Sequence, residues 1–332
     1  MTALAELTGF ADGPPLEPTH EVVERITALG APIGVDAMTL LTERAAIWSY
    51  TRNGRVSCGG ATRLMATADA WIALSLTRSD DEELVPAWIG CEPEWSVIEA
   101  TVSSASAGEL VERGRLLGLP IAVLGERVAG DLAERRLIDE AAPLDRPPLV
   151  VDLSSLWAGP LCTRLLQAKG ARVVKVESRT RPDGARNGPA AFFDLMHAGK
   201  EFVSNDFTRD ALVDLLMSAD VVVEGSRPRA LEQLGIDARE IIANGPRVWL
   251  SITGHGRGEP QRDWVGFGDD AAVAGGLVAW WRDTPCFLGD AIADPLTGIA
   301  SAVAVLAALE QGGRWLIDCN LAGVAAYVAA GQ

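Results

Sequence analysis

The chain has 332 residues and a formal net charge of −16, from 29 basic and 45 acidic side chains. With 48% apolar and 22% charged residues it has the balance of a folded globular protein, long enough for two domains. The acidic surplus excludes a general nucleic-acid binder, whose affinity rests on a basic surface, but leaves room for a local basic pocket. The cysteines (Cys58, Cys91, Cys162, Cys286, Cys319) stand far apart without a C-x-x-C pair, so no zinc site is expected. Their scatter, and an N-terminus without a basic segment and long apolar core, place the protein in a reducing cytoplasm. The apolar run Pro295–Leu309 is too short to span a bilayer and predicts a buried helix, so no membrane partner is expected.

In chain order, Glu21–Leu29 carries apolar residues at helical spacing and Ala70–Leu76 is an apolar run of strand length. Ala107–Leu117 predicts a helix stopped by Gly118, before a strand at Ile121–Leu124. The proline-rich Ala141–Pro148 reads as a linker. Beyond it come strands at Leu149–Leu153, Arg172–Val176, Asp220–Val223 and Val248–Ile252, separated by helical stretches at Pro160–Ala168 and Ala211–Met217. A last strand, Arg314–Asp318, precedes a helix over Leu321–Ala330. The expected fold class is α/β: a Rossmann-like parallel-sheet domain at 149–332, with helices on both faces, preceded by a smaller α/β domain at 1–140 and a linker at 141–148. Ligands of such sheets bind beyond the carboxyl ends of the strands. That directs attention to Ser154–Pro160, Glu177–Arg179, Glu224–Pro228 and Thr253–Gly258.

The familiar phosphate cradles are missing. The turn after Leu149–Leu153 is SSLWAGP, without G-x-G-x-x-G, and neither a P-loop nor a G-x-S-x-G elbow occurs. The Gly254–Gly258 segment reads as a mobile loop, and His197 and His255 as structural or ligand-facing residues. Asp294 precedes Pro295 at the start of the apolar helix, which suits an N-cap with proline at the first helical position. The same placement suits a carboxylate kept ionised by the helix dipole and able to attack an activated acyl group. Both readings stand on the residues alone.

Several stretches, in order, resemble the family III CoA-transferases (CaiB/BaiF), the formyl-CoA and carnitine-CoA transferase group that includes the α-methylacyl-CoA racemases. They are Val150–Ser178 (VVDLSSLWAGPLCTRLLQAKGARVVKVES), Ala198–Lys200, Ala219–Ile236, Ser251–Pro260, Gly266–Leu277 and Ile292–Glu310 (IADPLTGIASAVAVLAALE). The resemblance implies a CoA-transferase that moves CoA from an acyl-CoA to a carboxylic acid through an aspartyl-CoA intermediate, with Asp294 as the aspartate. It implies coenzyme A as substrate rather than as a resident cofactor, no metal, and a homodimer. The CoA contacts it implies are Leu156, Trp157, Ala158, Ser178, Arg179, Gly225, Ser226, Gln233 and Leu234, with Arg179 a candidate for a CoA phosphate and Lys200 for a similar role. The amides near Gly275 and Gly276 are candidates for oxyanion stabilisation.

The chain departs from the pattern. Phe267 stands where racemases carry a histidine, which argues against racemisation. Trp157 stands where the formyl-CoA transferases carry a glutamine, suggesting a bulky organic acid, and Gly268 where they carry a glutamate. Gly225-Ser226 replaces an Asn-Phe pair, and Thr208 a lysine. These departures keep a catalytically impaired CoA-binding homologue or partner subunit as the alternative. Gly59–Leu76 and Ser106–Leu124 resemble the family's small domain, which normally follows the large one, so the order of parts is rearranged.

Overall fold

The computed structural model describes residues 2–330. Its strands are β1 (Thr62–Ala66), β2 (Trp71–Ser75), β3 (Ile121–Val123), β4 (Glu134–Asp139), β5 (Leu149–Asp152) and β6 (Arg172–Ser178). They continue as β7 (Glu201–Asn205), β8 (Val221–Glu224), β9 (Val248–Thr253), β10 (Val278–Trp281), β11 (Thr284–Phe287) and β12 (Arg314–Asn320). Seven of them form one sheet in the order β4-β12-β9-β8-β5-β6-β7, parallel except for β4. The inner strands β5, β8 and β9 are short runs rich in valine, leucine and isoleucine because helices cover both faces and leave no wet side. On one face lie the helices Ala158–Ala168 and Ala293–Gln311, which share a core with Val150, Val223 and Leu250. On the other, Leu212, Leu216, Ile241 and Ile242 from helices Arg209–Ser218 and Ala238–Asn244 pack on Val151, Val222 and Trp249.

β5 and β8 are neighbours although the chain builds β6 and β7 between them. The strand order therefore reverses at this pair, the point outside whose carboxyl ends such sheets form their ligand crevice. The crevice turn is held by burial and by shape. Leu156 adopts φ +70°, a left-handed conformation costly for a branched side chain. Its N–H donates to Asp183 Oδ1 at 2.9 Å. A Cβ on Gly159 would lie 2.1 Å from Ser154 Oγ, so only glycine fits there.

The helix Ala293–Gln311 is long and apolar, and most of it lies inside the protein, as expected of a core helix. It comes so close to Ala158–Ala168 that a Cβ on Gly298 would sit 2.7 Å from the Ala158 carbonyl oxygen. The small residues of this helix thus admit the neighbouring helix at close range.

The first 140 residues do not behave as one unit. Val22, Ile26 and Leu29 of the helix His20–Gly30, with Leu40 and Leu41, belong to the core shared with Ile299 and Val324. β4 is an edge strand of the large sheet. The separately cored part is the three-stranded sheet β1-β2-β3 with helices Ser79–Ile89, Trp95–Val102 and Ala107–Leu117, packed around Ile72, Leu74, Trp88 and Ile98. The stretch 141–148 joins two strands of the same sheet, and Arg146 clamps it by donating to both Asp220 oxygens at 2.6 and 2.8 Å.

Candidate active site

Asp294 lies in the first turn of the helix Ala293–Gln311, whose N-cap position is Ile292, so it is not the N-cap expected from the sequence. Its own N–H donates to the Ala291 carbonyl at 2.9 Å. Ala291 has φ +41°, a strained conformation that turns the chain from Asp290 into the helix. Facing it is the start of the helix Gly268–Ala274, where the Gly268 N–H donates to the Asp294 carboxylate. A Cβ on Gly268 would lie 2.4 Å from the Ala291 oxygen and 2.5 Å from Asp294 Oδ2. The departure from glutamate at this position therefore has a steric cause: no side chain fits between the two helix starts.

Three carboxylates converge here. Asp290 is fully buried and accepts from Arg44 Nε at 2.7 Å and Nη2 at 2.5 Å. Asp269 accepts the Ala291 N–H at 3.0 Å. Asp294 is half-buried. Burial pushes the Asp294 carboxyl up to about 7; Arg44 and the Gly268 amide pull against it, while Asp269 and Asp290 add to the rise. Asp269 is pushed up to about 6, by burial first and Asp290 second. The sequence expectation was a fully ionised carboxylate supported by the helix dipole. Loss of water and like charge outweigh a dipole contribution of about 1 kcal/mol, so the group is only partly ionised at neutral pH instead.

Behind this pair Asp270 is fully buried, accepting from Ser75 Oγ at 2.6 Å and the Phe267 N–H at 3.0 Å. Ser57, Thr62 and Ser75 give the small sheet a polar seam against Asp269 and Asp270. Phe267 is the N-cap residue of this helix, with the Arg78 guanidinium 5.9 Å from its ring.

The structure brings Leu156, Trp157, Ala158, Ser178, Gly225 and Ser226 to the carboxyl ends of β5, β6 and β8. Gly225 abuts the turn, its Cβ position 3.2 Å from Ser154 Cβ. Gln233 and Leu234 follow the short helix Pro228–Glu232 on the same side. Trp157 and Ala158 are buried, and the Trp157 ring packs against Phe192 at 5.7 Å and under the Arg44 guanidinium at 4.9 Å. Its indole therefore does not line the crevice, contrary to the pocket expected from it. Arg179 is exposed and pairs with Asp206 at 3.2 Å. Lys200 is wholly buried beneath the turn, donating to Asp152, Pro160 and Thr163, and is out of reach of a phosphate in the crevice. Thr208 caps the helix Arg209–Ser218 through the Ala211 N–H, a local role for the residue in place of lysine.

Gly275 and Gly276 lie at the opposite end of the helix Gly268–Ala274, about 10 Å from its start at 1.5 Å per residue. Their N–H groups donate to Ala271 and Val273, so neither is free to hold an oxyanion. They line a cavity of about 680 Å³ with Leu124, Arg127, Val278 and Trp280, and Asp294 is not part of its wall. The Gly254–Gly258 loop is pinned: Arg257 pairs with Glu224, and its N–H donates to Asp318 at 2.7 Å. His255 is buried, which pushes it down to about 3 and keeps it neutral.

The model of CoA-transferase family III matches residues 148–332, more than half the chain. The protein belongs to CoA-transferase family III. A succinate–glutarate CoA-transferase from Agrobacterium fabrum is 31% identical over 219 residues, covering 57% of this chain and 55% of the relative. A succinyl-CoA–D-citramalate CoA-transferase from Chloroflexus aurantiacus is 31% identical over 180 residues, covering 50% and 45%. Among solved structures, a CAIB/BAIF family protein from Brucella suis is 30% identical with a TM-score of 0.52, covering 58% of this chain and 57% of that one. Rv3272 from M. tuberculosis is 27% identical with a TM-score of 0.51, covering 56% of each chain. These likenesses agree with the α/β fold described above. The chain spans about half the length of the curated relatives it matches. Arg44, Ser57, Thr62 and Ser75 lie outside the family-matched segment.

Proposed function

We propose that this protein transfers CoA between an acyl-CoA thioester and a carboxylic acid, with Asp294 as the nucleophile. The observation that carries the reading is the Asp294 carboxylate itself. It is held between two helix starts, titrating at about 7 and so about half ionised at neutral pH, in the segment shared with the family. A carboxylate of this basicity is a better nucleophile than an exposed one and is still partly ionised near pH 7.

The Asp294 carboxylate attacks the thioester carbonyl, forming an aspartyl–acyl anhydride and expelling CoA thiolate. The thiolate attacks the aspartyl carbonyl, giving an aspartyl-CoA thioester and releasing the first acid as its carboxylate. An acceptor carboxylate attacks that thioester, again expelling thiolate, and the thiolate takes the new acyl group and frees Asp294. No proton or phosphate is consumed, and the thioester bond energy is conserved throughout. The CoA chain would lie over the crevice between β5 and β8, against Leu156, Ser178, Gly225 and Ser226. Trp157 and Ala158 shape it from beneath, Gln233 and Leu234 flank it, and Arg179 stands at its rim. Phe267 cannot exchange a proton, which disfavours racemisation. The protein would act as a homodimer in the cytoplasm. Because the Trp157 ring is buried, a bulky acid is no longer favoured over a small one.

Incubation with succinyl-CoA and hydroxylamine, followed by peptide mass spectrometry, tests the reading. A hydroxamate at Asp294, absent from Asp294→Asn, is expected. A chain that binds CoA but labels nowhere would instead be the non-catalytic homologue, and transfer that survives in Asp294→Asn would remove the proposal.

A further inference from the structure

The family-matched segment brings three converging carboxylates to the site and, among the described residues, no cation pairs with them from that segment. The positive charge comes from Arg44, in the short helix Glu43–Trp48 of the N-terminal segment, 246 residues from its partner Asp290. We infer that Arg44 receives the carboxylate of the acid substrate beside Asp294, on both the incoming and the outgoing half of the transfer. The inference rests on the CoA-transferase reading and deepens it.

Geometry supports it in three ways. The guanidinium is fixed in orientation: Asp290 grips it through Nε and Nη2, and the buried Trp157 ring lies 4.9 Å from it. A guanidinium has five N–H donors, and Asp290 engages two. Among the described residues Nη1 donates to no protein acceptor, which leaves the Nη1–Nη2 edge for a second carboxylate, in the fork geometry arginine favours. The side chain is 23% exposed, whereas Asp290 is fully covered, so this group of the pair is the one a small solute can touch.

The charge balance makes such a group necessary. An acid substrate must bring its carboxylate to the carbonyl of aspartyl-CoA, past Asp269 and Asp290. Uncompensated, it would meet like charge in a site already partly dehydrated. Trp157 also joins the crevice turn to this cation, so the same arginine that meets the acid is aligned by the residue beneath the CoA crevice.

The test is exchange of carbon-13 succinate into succinyl-CoA, with hydroxylamine trapping of Asp294 run in parallel without added acid. Arg44→Lys keeps the charge and loses the fork. Arg44→Gln alone would leave Asp290 buried without its cation, so it is paired with Asp290→Asn. In both variants the KM for succinate is expected to rise tenfold or more, the KM for succinyl-CoA to change less than twofold, and trapping at Asp294 to persist. An unchanged KM for succinate, with Asp294 still trapped, overturns the role of Arg44 and leaves the transferase reading standing. A wild type that neither exchanges nor traps overturns both.

Discussion

Two clusters of buried carboxylates in this protein have acidities that move in opposite directions. Under the crevice turn, desolvation alone would raise Asp152 and Asp183. Lys200 and Lys175 beside Asp152, and His197 and Lys175 beside Asp183, hold both well below the usual carboxylate range. Hydroxyl and amide donors complete the shells, with Thr163 Oγ1 2.6 Å from Asp152 and the Ala185 N–H 3.0 Å from Asp183. At the helix starts, desolvation wins, and Asp269, Asp270 and Asp294 rise to about 6, 7 and 7. Arg44 is the cation there, and Asp290 already engages it. Two of the chain's three lysines, Lys175 and Lys200, are buried in the first cluster. Carboxylates with full counterions are fixed parts of the scaffold, whereas carboxylates short of counterions are poised for chemistry.

The sharpest way to break this contrast is to remove the proposed nucleophile. Asp294→Asn is expected to lower turnover about 10⁴-fold or more, as loss of a nucleophile does, while its unfolding midpoint at pH 8 stays level or rises. Steady-state transfer and thermal melts check both halves. Lys200→Met tests the other cluster. It strands Asp152 in the interior, and breaking a buried pair costs about 3–5 kcal/mol. Urea unfolding is expected to show a loss of that order. A stable Lys200→Met protein would mean that Lys175, Thr163 and Ser154 suffice, and the contrast would lose one of its causes.

The two regions also differed in how far the sequence exposed them. The inner parallel strands were legible because burial on both faces selects unbroken β-branched runs, as in Val221–Val223. β4 (ERRLID) and β7 (EFVSN) were not, because these edge strands are mostly exposed and carry no apolar period. Asp294 stood out by its motif. Its setting did not, because Arg44 sits in no motif and meets Asp290 only through folding across most of the chain. The reason glycine occupies 268 is likewise invisible in one dimension, since it comes from the Ala291 oxygen and the Asp294 carboxylate.

A pH series sharpens the comparison at smaller amplitude. Asp270 in the folded chain titrates at about 7, against an ordinary value of 3.8. Between those values the folded state binds the extra proton, so stability is greatest below about pH 4 on this account and declines as pH rises to 7. The wild type is therefore expected to melt lower at pH 8 than at pH 5. Asp270→Asn keeps an acceptor for Ser75 and Phe267 and removes one titration. It is expected to recover about 1 kcal/mol or more at pH 8 and little at pH 5. Asp269 and Asp294 keep part of the decline. Equal effects of Asp270→Asn at both pH values would mean that Asp270 is ionised in the fold.

The smallest expected effect belongs to a charge outside both clusters. Arg179 and Asp206 are each more than 60% exposed, so their pair sits in water and contributes about 0–1 kcal/mol. Arg179→Ala is expected to leave the urea midpoint nearly unchanged. Its place at the end of β6, on the rim of the crevice, nevertheless allows it to swing from Asp206 to a CoA phosphate. Such a contact is screened by salt, because a rim charge acts across solvent. The Kd for CoA, measured by calorimetry, is expected to rise several-fold in Arg179→Ala at low salt and to approach the wild-type value in 0.5 M sodium chloride. A Kd that does not move at low salt would leave Arg179 as a surface ion pair and shift the phosphate contact elsewhere along the crevice.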